Sequence, residues 1–200
     1  YEAADAKLSA DGWIVGRKTM AEYGADVVEE KEPMEGHKTM QTNTFIGKRE
    51  GRPLAVVFDI QGRLHYKSPT LPSGEHIVAV LGSHVTRAYQ KELEEIGVSY
   101  IMRTPGSKLE ETQSALKHLE HDFNVKHMLL EGGAITCGNF LQMGLVDELS
   151  MIVYPGLDGE SDHPSVIECQ GVVEPLKKNR LELIDCETIG YVWLRYNIHR

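Results

Sequence analysis

Ile77-Val78-Ala79-Val80-Leu81 is an unbroken apolar run that ends in Gly82-Ser83. A run with no polar alternation suits a strand buried on both faces, as parallel strands are. Upstream, Leu54-Ala55-Val56-Val57-Phe58-Asp59 has the same character. Earlier still, Trp13-Ile14-Val15 leads into Gly16 and then a helical turn from Thr19 to Tyr23. Downstream, Ser83 is placed to N-cap a helix that buries Ala88, Tyr89, Leu93 and Ile96, with Gly97 closing it. Val98–Met102 is the next strand. Ser107-x-x-Glu110 is a capping box, and Leu109, Thr112, Leu116, Leu119 and Phe123 follow at three-and-four spacing. Met128–Leu130 reads as a strand, Thr136–Met143 as a helix stopped by Gly144, and Leu149–Tyr154 as a strand. Leu181–Thr188 and Tyr191–His199 flank Ile189-Gly190 as an antiparallel hairpin.

Strands that alternate with helices imply a mainly parallel sheet covered on both faces. The expected architecture is a three-layer α/β/α sandwich, with a mixed, mainly parallel sheet and a C-terminal antiparallel hairpin. Tyr1–Ala10 reads as the end of a helix. Residues 25–52 are polar and form a long loop, the kind that serves as a lid or stays disordered. No internal repeat is visible, and 200 residues suit one domain.

With 21 cationic and 30 anionic side chains the net charge is −9. That disfavours nucleic acid and anionic membranes as partners, which require a basic surface. The apolar runs are too short to span a bilayer. Cys137, Cys169 and Cys186 form no CxxC pair, so reduced thiols in a cytoplasm are expected rather than disulfides or a metal site. His118-x-Glu120 lacks the P-C-x-x-C that zinc deaminases need, and no G-x-S-x-G elbow occurs.

Gly16-Arg17-Lys18-Thr19 joins a strand to a helix. Glycine admits a ligand close to the backbone, and the helix start offers unpaired N–H groups to an anion. Thr19 would add a hydroxyl, and Arg17 or Lys18 a charge. Glu131-Gly132-Gly133-Ala134-Ile135-Thr136 repeats the design after a later strand. Alone, the first turn reads more readily as a tight connection, and the second equally well. Together they lie at the carboxyl ends of strands, where open parallel sheets bind ligands. Neither is a GxGxxG or a GxxxxGK[ST] motif.

Asp11-Gly12-Trp13-Ile14-Val15-Gly16-Arg17-Lys18-Thr19-Met20 resembles the strand–GRxT–helix segment of dihydrofolate reductases and their riboflavin-pathway relatives. Leu130-Glu131-Gly132-Gly133, with Gly138-x-x-Leu141 and Gly144-Leu145-Val146-Asp147-Glu148-Leu149, resembles the C-terminal reductase domain of the bacterial riboflavin deaminase/reductase. Val192-Trp193-Leu194-Arg195-Tyr196 is similar to that domain's last strand.

The resemblance implies a dihydrofolate-reductase-like fold and NADPH as cofactor. It makes Gly16, Thr19, Gly132, Gly133, Ala134, Thr136 and Gly138 cofactor candidates and Glu131 a substrate ligand, an acid that dihydrofolate reductases generally lack. Ser83, with Arg87, would meet the adenosine 2′-phosphate. Asp59 matches the family's aspartate at the end of the middle strand, but the serine that usually follows is Ile60. The implied reaction is NADPH-dependent reduction of the ribosyl group of a 5-amino-6-(5-phosphoribosylamino)uracil-type pyrimidine, by a single reductase domain over 1–200. A reductase of another substrate and a silent nucleotide-binding protein are the alternatives. No residue is singled out as the proton donor. The family commonly forms homodimers, for which the apolar hairpin is the candidate contact. The family's buried first strand has no counterpart after Tyr1, so the sequence is expected to begin downstream of it.

Overall fold

The computed structural model describes residues 7–23, 27–36, 44–157, 159, 165–169, 179–188 and 190–200. The first ten residues, read as a helix end, lie mostly outside this set; Lys7 and Leu8 are helical. The chain divides into two compact units, Ser9–Gly132 and Gly133–Arg200, the latter with Lys7 and Leu8.

In the first unit, strands β1 (Gly12–Gly16), β3 (Leu54–Phe58), β5 (His76–Leu81), β6 (Ser99–Met102) and β7 (Leu129–Leu130) form one parallel sheet in the order β6-β5-β3-β1-β7. β1 pairs with β3 from Gly12↔Leu54 to Gly16↔Phe58 and with β7 at Trp13↔Leu129 and Ile14↔Leu130. Successive side chains on a strand point to opposite faces. Ala55, Val57, Ile77, Ala79 and Leu81 on one face and Leu54, Val56, Val78 and Val80 on the other are all buried, so both faces are covered. Met20 of α1 (Arg17–Tyr23) and Tyr89 and Leu93 of α2 (Arg87–Ile96) join the first set in one core. α3 (Lys108–Asp122) buries Thr112, Ala115 and Leu119 and packs on β6.

Two short strands, β2 (Val27–Glu29) and β4 (Leu64–Tyr66), pair antiparallel. β2 falls within the polar stretch read as a long loop, and Phe45 of that stretch bridges Tyr100 of β6. β4 was not expected, because three residues are too few to show a period.

Several boundaries differ from the sequence reading. The N-cap of α2 is Thr86, not Ser83: Thr86 is extended (φ −75°, ψ 154°), and its hydroxyl accepts the Tyr89 N–H at 3.3 Å. The helix therefore starts three residues later than a Ser83 cap implies, and Ala88 faces solvent. Gly97 closes it in the left-handed region as expected. The Ser107–Glu110 capping box is present in both directions, although Leu109 is exposed.

In the second unit, α4 (Ala134–Gln142) begins two residues before the expected Thr136. β8 (Glu148–Val153), β9 (Arg180–Thr188) and β10 (Val192–His199) form an antiparallel sheet in the order β8-β10-β9. The β9–β10 hairpin is the closing hairpin expected from the sequence. Trp193 is buried and donates its indole N–H to Ser150 Oγ at 2.8 Å. The parallel α/β core and the antiparallel C-terminal strands are thus both observed.

Asp11 fastens the start of β1 to the approach to β7. Its Oδ2 accepts the N–H groups of Lys126 (2.7 Å) and His127 (3.0 Å). These donors favour the ionised form and hold the carboxyl below its ordinary range. A depressed native pKa stabilises the fold above the unfolded value of about 4. That contribution disappears as pH falls through the native value. Asp11→Asn is therefore expected to lower the urea midpoint at neutral pH, with the deficit shrinking toward pH ~2. Thr86→Ala should cost about 1 kcal/mol as a lost cap, and Ser83→Ala less than ~0.5 kcal/mol. Equal costs in urea unfolding would contradict the observed cap.

Candidate functional site

A parallel sheet puts the carboxyl ends of all its strands on one edge. Gly16 ends β1, Asp59 follows β3, Gly82-Ser83 follow β5, and Glu131-Gly132 follow β7. By the pairing order, Gly16 lies between the ends of β3 and β7. Glu131 is tied into the edge by its own N–H, which donates to Ile14 O at 2.9 Å. Of the sequence-derived candidates, Gly16, Thr19, Ser83, Glu131 and Gly132 share this edge in the first unit. Gly133, Ala134, Thr136 and Gly138 belong to the second, and the boundary is the Gly132–Gly133 bond itself.

The two glycine turns touch. A Cβ on Gly132 would lie 2.7 Å from Val15 Cγ1 and 3.0 Å from Thr19 Cγ2, closer than side chains tolerate. Glycine at 132 thus lets the β7 turn pack directly on the first residues of α1. Gly133 has φ 66°, a left-handed value that disfavours other residues. It caps α4 with no side-chain hydrogen bond of its own to the amides of the first turn, Ala134 to Thr136. Such a helix start is suited to a phosphate group.

Other candidates are already engaged. At Gly138 the close neighbour is the chain itself: a methyl there would overlap the carbonyl of Glu168, whose N–H donates to Ala134 O at 2.9 Å. Arg17, read as a compensating charge, is ion-paired with Glu29 of β2, which also meets Arg63 at 3.5 Å. Asp59 is fully buried, and its Oδ2 accepts the N–H groups of Arg63 (2.7 Å) and Leu64 (2.9 Å) and the Tyr89 hydroxyl (3.3 Å). It anchors the turn between β3 and β4. Burial pushes the Tyr89 and Tyr66 hydroxyls well above the usual tyrosine range, so both remain protonated. Burial also raises the Cys137 thiol, which removes it as a nucleophile at neutral pH.

The sequence reading missed a groove of about 440 Å³ on the same edge, lined among others by Met34, Gly36, Gln61, Gly62, His84 and Tyr89. It lies beside the ends of β3 and β5, next to Ser83. Its 33–36 wall comes from a polar stretch with no periodicity, so nothing local announced it. Among the described residues no group of three or more His, Cys, Asp and Glu side chains is placed to hold a metal ion. No helix among them is long and apolar enough to cross a membrane.

Residues 3–194 match the family model described as the RibD C-terminal domain. The chain belongs to that family. Solved structures of similar fold include RibD from Acinetobacter baumannii, with a TM-score of 0.63 at 21% identity. That alignment covers 98% of this chain and 51% of the other, so the chain spans about half the length of the Acinetobacter protein. A pyrimidine reductase-like protein from Corynebacterium diphtheriae aligns with a TM-score of 0.63 at 20% identity, over 98% of this chain and 81% of the other. The dihydrofolate-reductase-like α/β fold expected from the sequence is the fold of the RibD C-terminal domain seen here.

Gly132→Ala tests the contact between the turns. The added methyl should destabilise the protein by about 1–3 kcal/mol, as overpacking does. Adding Val15→Ala should then cost at least ~0.5 kcal/mol less than it does in the parent. Additive costs in denaturant unfolding would show that the turns do not press on each other.

Proposed function

We propose that this RibD C-terminal domain is an NADPH-dependent oxidoreductase that reduces the ribosyl group of a 5-amino-6-(5-phosphoribosylamino)uracil-type pyrimidine. The observation that carries the reading is the family match over nearly the whole chain, joined to two touching glycine turns on the carboxyl edge. The residues present fit a dinucleotide. Gly16 and Thr19 start α1 on that edge, and the uncapped first turn of α4 at Gly133, Ala134 and Thr136 supplies amides suited to phosphate. Bound NADPH would supply the hydride. The chain's own part is to offer backbone amides to phosphate and to fix the substrate.

Glu131 sits between the β7 ladder and the Gly132–Gly133 turn. Its carboxylate is the group proposed to receive the sugar hydroxyls, through charge-assisted hydrogen bonds. Ser83, half-buried at the end of β5 beside the groove, is proposed as a 2′-phosphate contact. Gly138 has a packing role, so its contribution to cofactor binding is indirect, through the position of α4.

The reading treats residues 1–200 as one reductase domain working as a homodimer. The β8-β10-β9 sheet supports the dimer: Leu181, Leu183 and Val153 share one face by register and are 48%, 54% and 47% exposed. The cysteines Cys137, Cys169 and Cys186 are unbridged, in keeping with a cytoplasmic setting.

Glu131→Gln is expected to raise the pyrimidine KM by about tenfold or more, because a charged acceptor is replaced by a neutral one. NADPH affinity should change less than ~3-fold, about 0.6 kcal/mol. Equal losses for both ligands in steady-state kinetics and direct titration would remove Glu131 from the substrate site. Light scattering at micromolar concentration should give twice the chain mass, and a monomer would refute the dimer.

A further inference from the structure

The amino edge of the parallel sheet, opposite the glycine turns, holds a buried polar cluster that the proposed reaction does not use. His76 starts β5 and Ser99 starts β6, and both are fully buried. Ser99 Oγ lies 2.7 Å from His76 Nε2 and accepts the Gly47 N–H at 2.9 Å. Gly47 belongs to the segment Thr44–Gly47, which lies along β6, the last strand in the sheet order. Phe45 and Tyr100 exchange both backbone hydrogen bonds at 3.0 Å, and their rings stack with centroids 5.8 Å apart. The fit is tight: a methyl on Gly47 would overlap Gly97 O and come within 3.4 Å of His76 Cε1. The segment therefore caps the sheet edge, and His76 lies directly beneath it.

We propose that Thr44–Gly47 is an acid-sensitive latch on the outer edge of the sheet, with His76 as its sensor. While Ser99 Oγ accepts the Gly47 N–H, its own proton goes to Nε2 of a neutral imidazole. A doubly protonated ring donates from both nitrogens. The Ser99 hydroxyl proton then loses its acceptor and the ring carries a buried charge, while the Nδ1 N–H, with no hydrogen-bond partner among the described residues, is present in either state. The charged groups that face the ring are Arg49 and Arg52, both cations. Burial and these two arginines lower the affinity of His76 for a proton, so the docked latch requires the neutral ring. Once the segment lifts, the ring regains water and an ordinary pKa near ~6.5. Opening then grows about tenfold per pH unit below that value, until the docked pKa is reached. Release would bare the backbone groups of β6.

A second histidine touches the latch. His118 Nδ1 lies 3.4 Å from Thr44 Oγ1 and 2.6 Å from Asp122 Oδ2, so it serves as the control.

The test is amide hydrogen exchange on the full chain between about pH 7.5 and pH 5.5, corrected for intrinsic chemistry. Protection of Phe45 and Gly47 is read against Val56 and Val57 in β3. The ratio should fall severalfold in the parent protein, and by at most about tenfold. His76→Gln keeps a polar side chain but does not titrate, so its ratio should stay flat. His118→Gln should retain the fall. A constant ratio in the parent, the same fall in His76→Gln, or loss of the fall in His118→Gln would each overturn the proposal. If His76→Gln does not fold, Ser99→Ala replaces it. Removing the hydroxyl should lower Gly47 protection about fivefold or more at pH 7.5. Protection like that of the parent would equally refute the latch.

Discussion

The pairing of β1 with β3 on one side and β7 on the other is the constraint from which the site follows. Parallel register aligns the carboxyl ends of the strands, so Gly16, Asp59, Ser83 and Glu131 reach one edge although more than a hundred residues separate the first from the last. A slip by one residue would turn Ile14 and Val15 to the wrong faces. Both are buried, and burial of each is worth about 1.5–3 kcal/mol, so the register is strongly fixed. Asp11 reinforces it at the other end of β1, through the N–H groups just before β7.

Packing and chemistry meet at the Gly132–Gly133 turn. Gly132 makes room for Val15 and Thr19, Gly133 starts α4 without a side-chain cap, and Gly138 makes room for the segment at Glu168. Three glycines of one motif thus have three different roles. The helix start at Gly133 carries no side-chain cap, while the other two glycines let neighbouring segments pack closely. Charge follows a similar rule. Arg17 and Arg87 lie near the edge, but Glu29 holds the first, and Glu94 accepts from the second at 2.6 and 3.0 Å.

The parallel strands were legible because runs such as Leu54–Phe58 and Ile77–Leu81 carry no polar alternation, and that pattern is local. The Ser107–Glu110 box and the β9–β10 hairpin were legible for the same reason. The α2 cap was misplaced because Ser83 and Thr86 are both capping residues three positions apart. Only the backbone conformation decides between them. What the sequence hid is non-local. The partner of Gly138 lies thirty residues downstream, the partner of Arg17 sits on a three-residue strand inside a polar stretch, and the groove wall at 33–36 has no period. The family resemblance supplied the site residues. Spacing alone left each glycine turn at least as readily structural as functional.

The central claim is that the carboxyl edge of the sheet receives a nicotinamide dinucleotide. Mapping backbone amide shifts during titration of the isotopically labelled protein with NADPH tests it most directly. The expected result is saturable change concentrated at Gly16, Thr19, Gly132 and the first turn of α4, with the Lys126 and His127 amides at the opposite edge unmoved. Absence of saturable change, or change centred on the amino edge, would contradict the account.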